Sequence, residues 1–127
     1  MIFIIDANLD FARSVEISLK EFEPRVFSSG IDAMNEIIAQ GPPELIVLDV
    51  LVDGPDSFAF LNELISYEDT MNIPVIIMSA LDFKGADLSV YSVVEIFDKK
   101  TMTPEALKTS VLYYLSGGRA LWALYII

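Results

Sequence analysis

The sequence predicts an α/β domain in which five parallel strands alternate with helices and lie between two helical layers. Two observations carry that prediction. Four short runs, Met1–Ile5, Leu45–Leu48, Pro74–Met78 and Val93–Phe97, are almost continuously apolar and rich in Ile and Val, as strands buried on both faces must be. Between them apolar residues recur at helical spacing, one stripe per segment, which suits helices packed on a sheet. Alternation of this kind implies a parallel (βα)5 sheet with right-handed crossovers and helices on both faces.

The elements follow in order. After Met1–Ile5, the stripe Phe11, Val15, Leu19 and Phe22 marks the first helix, with Asp10 as its expected N-cap. A weaker run, Arg25–Ser28, is expected as a fifth strand nearer an edge. Ile31, Met34, Ile37 and Ile38 mark the second helix, which Gly41-Pro42-Pro43 ends. Asp56 is the expected cap of the third, whose stripe is Phe58, Leu61, Leu64 and Ile65. Asp82–Ser92 carries Gly85 and no clear stripe, and reads as a short or irregular helix. Thr103 caps the last helix, Pro104 suits its first turn, and Leu107, Val111, Tyr114 and Leu115 form its stripe. Phe60 and Tyr113 fall off the stripes and are expected to be partly exposed.

Residues 1–116 read as one domain without repeats or linkers, and residues 117–127 as an apolar C-terminal tail. Ser116-Gly117-Gly118 ends the last helix, and RALWALYII follows with one charge in nine residues. That tail is expected either to pack on the domain or form a homodimer contact, or to be the start of a longer segment.

Composition narrows the chemistry. The 127 residues contain no Cys and no His, which removes disulfides, thiolate zinc sites, thiol catalysis and histidine-based triads. Any metal must then sit on oxygen ligands, as a hard cation such as Mg²⁺ does. With 19 acids against 8 bases, the net charge of −11 opposes phosphate backbones and anionic lipid, so direct nucleic acid binding is not expected. No stretch of about 18 apolar residues is present to span a membrane, and the short run ending at Asp6 does not suit a signal peptide. A cytoplasmic protein is the expectation.

In open α/β sheets ligands bind beyond the carboxyl ends of the strands, near the point where strand order reverses. The residues closing the strands here are Asp6, Asp49, Ser79 and Lys99 or Lys100. In a sheet of order 2-1-3-4-5, strands one and three are neighbours, so Asp6 and Asp49 would lie side by side and repel unless a cation or proton stood between them.

These residues resemble those of the response-regulator receiver domain of two-component signalling. The matching stretches are FIIDANLDF at Phe3–Phe11, ELIVLDV at Glu44–Val50, DSFAFL at Asp56–Leu61, IPVIIMSA at Ile73–Ala80 and EIFDKK at Glu95–Lys100, and the resemblance runs from Met1 to about Leu115. It implies a flavodoxin-like three-layer sandwich. It also implies that Asp49 is the phosphoacceptor, served by a histidine kinase or phosphotransfer protein and read by a downstream protein effector. Ser79 matches the hydroxyl residue that bonds the phosphoryl group, Ala80 the small residue after it, and Lys99 the active-site lysine. Asp6 matches the first acid of the family's acidic pair, and with Asp49 and the Leu51 backbone carbonyl would hold Mg²⁺. Such a domain is no enzyme beyond its own phosphorylation and dephosphorylation.

Departures from the pattern are equally specific. Ala7 stands where the family has its second acid, so Mg²⁺ binding is expected to be weak, with the Asn8 amide oxygen as a substitute ligand. Lys99 keeps Phe97 as the buried strand residue and puts Ile96 at the switching aromatic position. Lys100 would instead force Asp98 into a buried strand site, which is costly. The proline after the lysine and the Gly-Ala before the last strand are missing. An alternative reading is a pseudo-receiver that binds protein independently of phosphorylation. A flavin site on the same fold is disfavoured, because Asp6-Ala7-Asn8-Leu9-Asp10 is acidic and lacks glycine.

Overall fold

The computed structural model describes residues 1–50, 55–80, 88 and 90–118, with the backbone alone at 55 and 56. Five strands, β1 (Ile2–Ile5), β2 (Pro24–Phe27), β3 (Leu45–Asp49), β4 (Val75–Ser79) and β5 (Val93–Asp98), form one parallel sheet of order β2-β1-β3-β4-β5. Four α-helices lie among the described residues: α1 (Leu9–Ser18), α2 (Gly30–Gln40), α3 (Pro55–Leu64) and α4 (Pro104–Leu115). This is the expected flavodoxin-like arrangement. Most of the segment 82–92, residues 51–54 and the tail from 119 lie outside the described residues.

The three central strands are wholly buried, which is why they read as unbroken apolar runs. Their alternating side chains feed two cores. Phe3, Ile5, Ile46, Leu48, Val75 and Ile77 meet α2 and α3 on one side, and Ile2, Ile4, Leu45, Val47, Ile76 and Met78 meet α1 and α4 on the other. β3, β4 and β5 each run one residue further than their apolar stretches, because pairing continues through Asp49↔Met78 and Ser79↔Asp98. Asp49 and Ser79 thus close their strands from within.

Between β4 and β5 the register slips: Val75 pairs with Val93 but Ile76 with Glu95. Val94 is the extra residue of this β-bulge. Val94 packs into the α1/α4 core, and Glu95 accepts from Ser110 and Tyr114 of α4. Two consecutive side chains therefore point the same way.

Several local expectations are corrected. Asn8, not Asp10, caps α1: its Oδ1 accepts from the Phe11 N–H at 3.1 Å, and Asp10 lies in the first turn. α3 begins at Pro55, so Asp56 is inside the helix and not its cap. Thr103 does cap α4, accepting from the Ala106 N–H. Gly117, at φ +87°, ends that helix in a Schellman arrangement, with Gly118 N–H donating to Tyr113 and Gly117 N–H to Tyr114. On α2 the inward residues are Gly30, Ala33, Met34 and Ile37, whereas Ile31 and Ile38 are 67% and 78% exposed. Phe60 is buried, at 3% exposure, because α3 packs on α2 as well as on the sheet. A Cβ at Gly30 would stand 2.8 Å from that of Phe60. Tyr113 is exposed as expected.

Candidate functional site

β1 and β3 are paired to their ends, Ile5 opposite Leu48. The next residues, Asp6 and Asp49, therefore emerge side by side at the carboxyl rim of the sheet. Asp6 is anchored through its backbone N–H to the Phe27 carbonyl and through Oδ1, which accepts from the Asn8 N–H at 2.9 Å. Asp49 is buried against the Ser57 hydroxyl, which donates to its carbonyl.

Lys99 joins the two acids. Its backbone N–H donates to the Ser79 carbonyl, carrying the sheet ladder past β5. Its ammonium lies 2.8 Å from Asp6 Oδ2 and 3.0 Å from Asp49 Oδ1. The Lys99 side chain is only 15% exposed, so little water screens these contacts. Lys100 is exposed, and its backbone N–H donates to the Asp98 carboxylate. Asp98 is itself exposed, which removes the cost of burying it.

Burial pushes the Asp49 carboxyl above its ordinary 3.8; the Lys99 hydrogen bond opposes this, and the Asp6 charge adds to it. Ser79, fully buried, donates its hydroxyl to the Val50 carbonyl at 3.1 Å. Ala80 is exposed beyond it, and Ile96 is exposed on β5. Leu51 lies outside the described residues.

Among the described residues no group of three or more acids could hold a metal ion. Asp6 and Asp49 do fit a hard cation in kind, since one ammonium already touches both. Ala7 adds no side-chain donor, and the Asn8 amide oxygen accepts from the Phe11 N–H as the cap of α1. Sequence reasoning missed Phe11, whose ring lies 4.3 Å from the Lys99 ammonium. Its helical spacing marked it only as an apolar contact.

No protein-family model matches the sequence, and no curated protein matches it. Solved structures do. A signal receiver domain of a signal transduction histidine kinase from Syntrophus aciditrophicus is 25% identical, over 91% of this chain and 89% of that one, with a TM-score of 0.76. The receiver domain of NtrX from Brucella abortus is 20% identical, over 91% and 98%, with a TM-score of 0.77. A BeF3-activated DrrB receiver domain is 19% identical, over 91% and 96%, with a TM-score of 0.74. Among the described residues no helix is long and apolar enough to cross a membrane. With this sheet order, these neighbours and two acids gathered at the expected rim, the chain has the fold of a response-regulator receiver domain.

Proposed function

We propose that this chain is a phosphoacceptor module of two-component signalling, taking a phosphoryl group on Asp49 from a histidine kinase or phosphotransfer protein. The observation that most supports this is the Lys99 ammonium, within 3.0 Å of the Asp49 carboxylate at the sheet rim. An Asp49 oxygen would attack the phosphorus of a phosphohistidine. The P–N bond breaks with its electron pair left on the imidazole, and a P–O bond forms an acyl phosphate. Such transfer depends on positioning and on charge that offsets the oxyanions. Lys99 supplies that charge, and Ser79 exchanges its bond to the Val50 carbonyl for one to a phosphoryl oxygen. Mg²⁺, held weakly by Asp6, Asp49 and the Leu51 carbonyl, would add positive charge at the same oxygens.

The new bond at Ser79 pulls the loop around Ala80 and alters contacts with a downstream protein effector. The exposed Ile96 blunts the rotamer switch that an aromatic provides in the family. The acidic surface suits protein partners over nucleic acid, in a cytoplasmic setting, with the tail from residue 117 as the candidate homodimer contact. The module turns over nothing but its own phosphorylation.

Acetyl phosphate with Mg²⁺, followed by intact mass, tests this. A gain of one phosphoryl group in wild type and none in Asp49→Asn is the expected result. No gain under conditions that modify an ordinary receiver overturns it. The second reading, a pseudo-receiver, is favoured by Ala7 and by the want of a third acid at the site among the described residues; it predicts that Asp49→Asn leaves partner binding unchanged.

A further inference from the structure

We propose that Phe11 is a positioning residue for the Lys99 ammonium, an inference that rests on the phosphoacceptor reading above. An ammonium has three N–H donors. Two directions go to Asp6 Oδ2 and Asp49 Oδ1, at 2.8 and 3.0 Å, and the Phe11 ring lies over the same nitrogen, 4.3 Å from its centroid. Such a ring attracts the cation by its quadrupole and keeps water away.

The ring is itself held by the site. Asp6 Oδ1 accepts from the Asn8 N–H, Asn8 Oδ1 accepts from the Phe11 N–H at 3.1 Å, and Lys99 returns to Asp6 Oδ2. Asp6, Asn8, Phe11 and Lys99 form a closed circuit in which the first turn of α1 fixes the ring and the ring fixes the cation. A lysine on a flexible four-carbon stem needs such a constraint to keep one position while Asp49 changes from carboxylate to acyl phosphate.

The test compares wild type, Phe11→Leu and Phe11→Tyr. Leu keeps the apolar bulk that α1 lends to its core and removes the π face; Tyr keeps both. With acetyl phosphate and intact mass, Phe11→Leu should be phosphorylated about 5- to 30-fold more slowly, the factor for a cation–π contact of about 1–2 kcal/mol. Phe11→Tyr should stay within about twofold of wild type. NMR of the Lys99 side chain supplies the independent reading: its terminal methylene protons should be shifted upfield by the ring in wild type and Phe11→Tyr, and not in Phe11→Leu. A Leu variant phosphorylated at the wild-type rate, or a wild-type Lys99 without the ring shift, overturns the proposal. If wild type takes no phosphoryl group, the phosphoacceptor reading falls, and the ring shift still decides whether Phe11 holds the cation.

Discussion

The Lys99 ammonium stands 3.0 Å from the Asp49 carboxylate, and burial alone would drive that carboxyl toward its neutral form. Removing the cation leaves two buried acids facing each other. Lys99→Met should therefore cost about 3 kcal/mol of stability at neutral pH, as breaking a buried pair from one side does. Urea melts measure it, and the double variant Lys99→Met, Asp49→Asn should recover part of the loss.

The direction of the Asp49 shift fixes a pH dependence. Its carboxyl lies above the ordinary 3.8 in the folded chain, so folding takes up a proton there. The stability this contributes is complete below 3.8 and is lost as pH rises through the folded value. Asp49→Asn should accordingly match wild type in acid and become the more stable of the two as pH rises from 4 toward 7. Urea melts of both proteins at several pH values check the divergence.

Ala7 is exposed beside Asp6, where an acid would supply a third carboxylate to the site. Ala7→Asp should tighten Mg²⁺ about tenfold or more, equivalent to about 1.4 kcal/mol, as titration calorimetry would register.

Gly30 touches Phe60 so closely that any side chain there must push α2 from α3. Gly30→Ala should cost about 1–3 kcal/mol by overpacking, because the nearest atom is the Phe60 Cβ, which is fixed to its own helix and cannot swing aside. Thermal melts of wild type and variant check it.

The sheet was legible because burial on both faces leaves β1 and all but the last residue of β3 and β4 without polar positions, and the rim residues stood out as the first polar side chains along each. Helix facing was less so. The period of α2 counts apolar residues equally, yet close packing against Phe60 selects Gly30, Ala33, Met34 and Ile37 and leaves Ile31 and Ile38 outside. Phe60 was expected to be partly exposed because a stripe describes one contact, and α3 makes two. Asn8 and Asp10 are both good cap residues, and only backbone geometry chooses: Asn8 is extended, at φ −83° and ψ 96°, and so stands one residue outside the helix. That Phe11 covers an ammonium depends on a residue 88 positions away, beyond the reach of any local period.

The bulge at Val94 bears on which of two adjacent lysines occupies the rim. Counting by twos from Val93, which faces the α2/α3 core, would send Lys99 to that same side and Lys100 toward α1. The extra residue acts as a phase correction, so that Phe97 and Lys99 turn to the side of α1 and α4. The address of the ammonium is thus counted back from Ser79 opposite Asp98, and the odd residue upstream is absorbed as slack. A chain lacking Val94 would keep Lys99 where it is, whereas flattening the kink with the residue retained would rotate Lys99 away and bring its neighbour round in its stead.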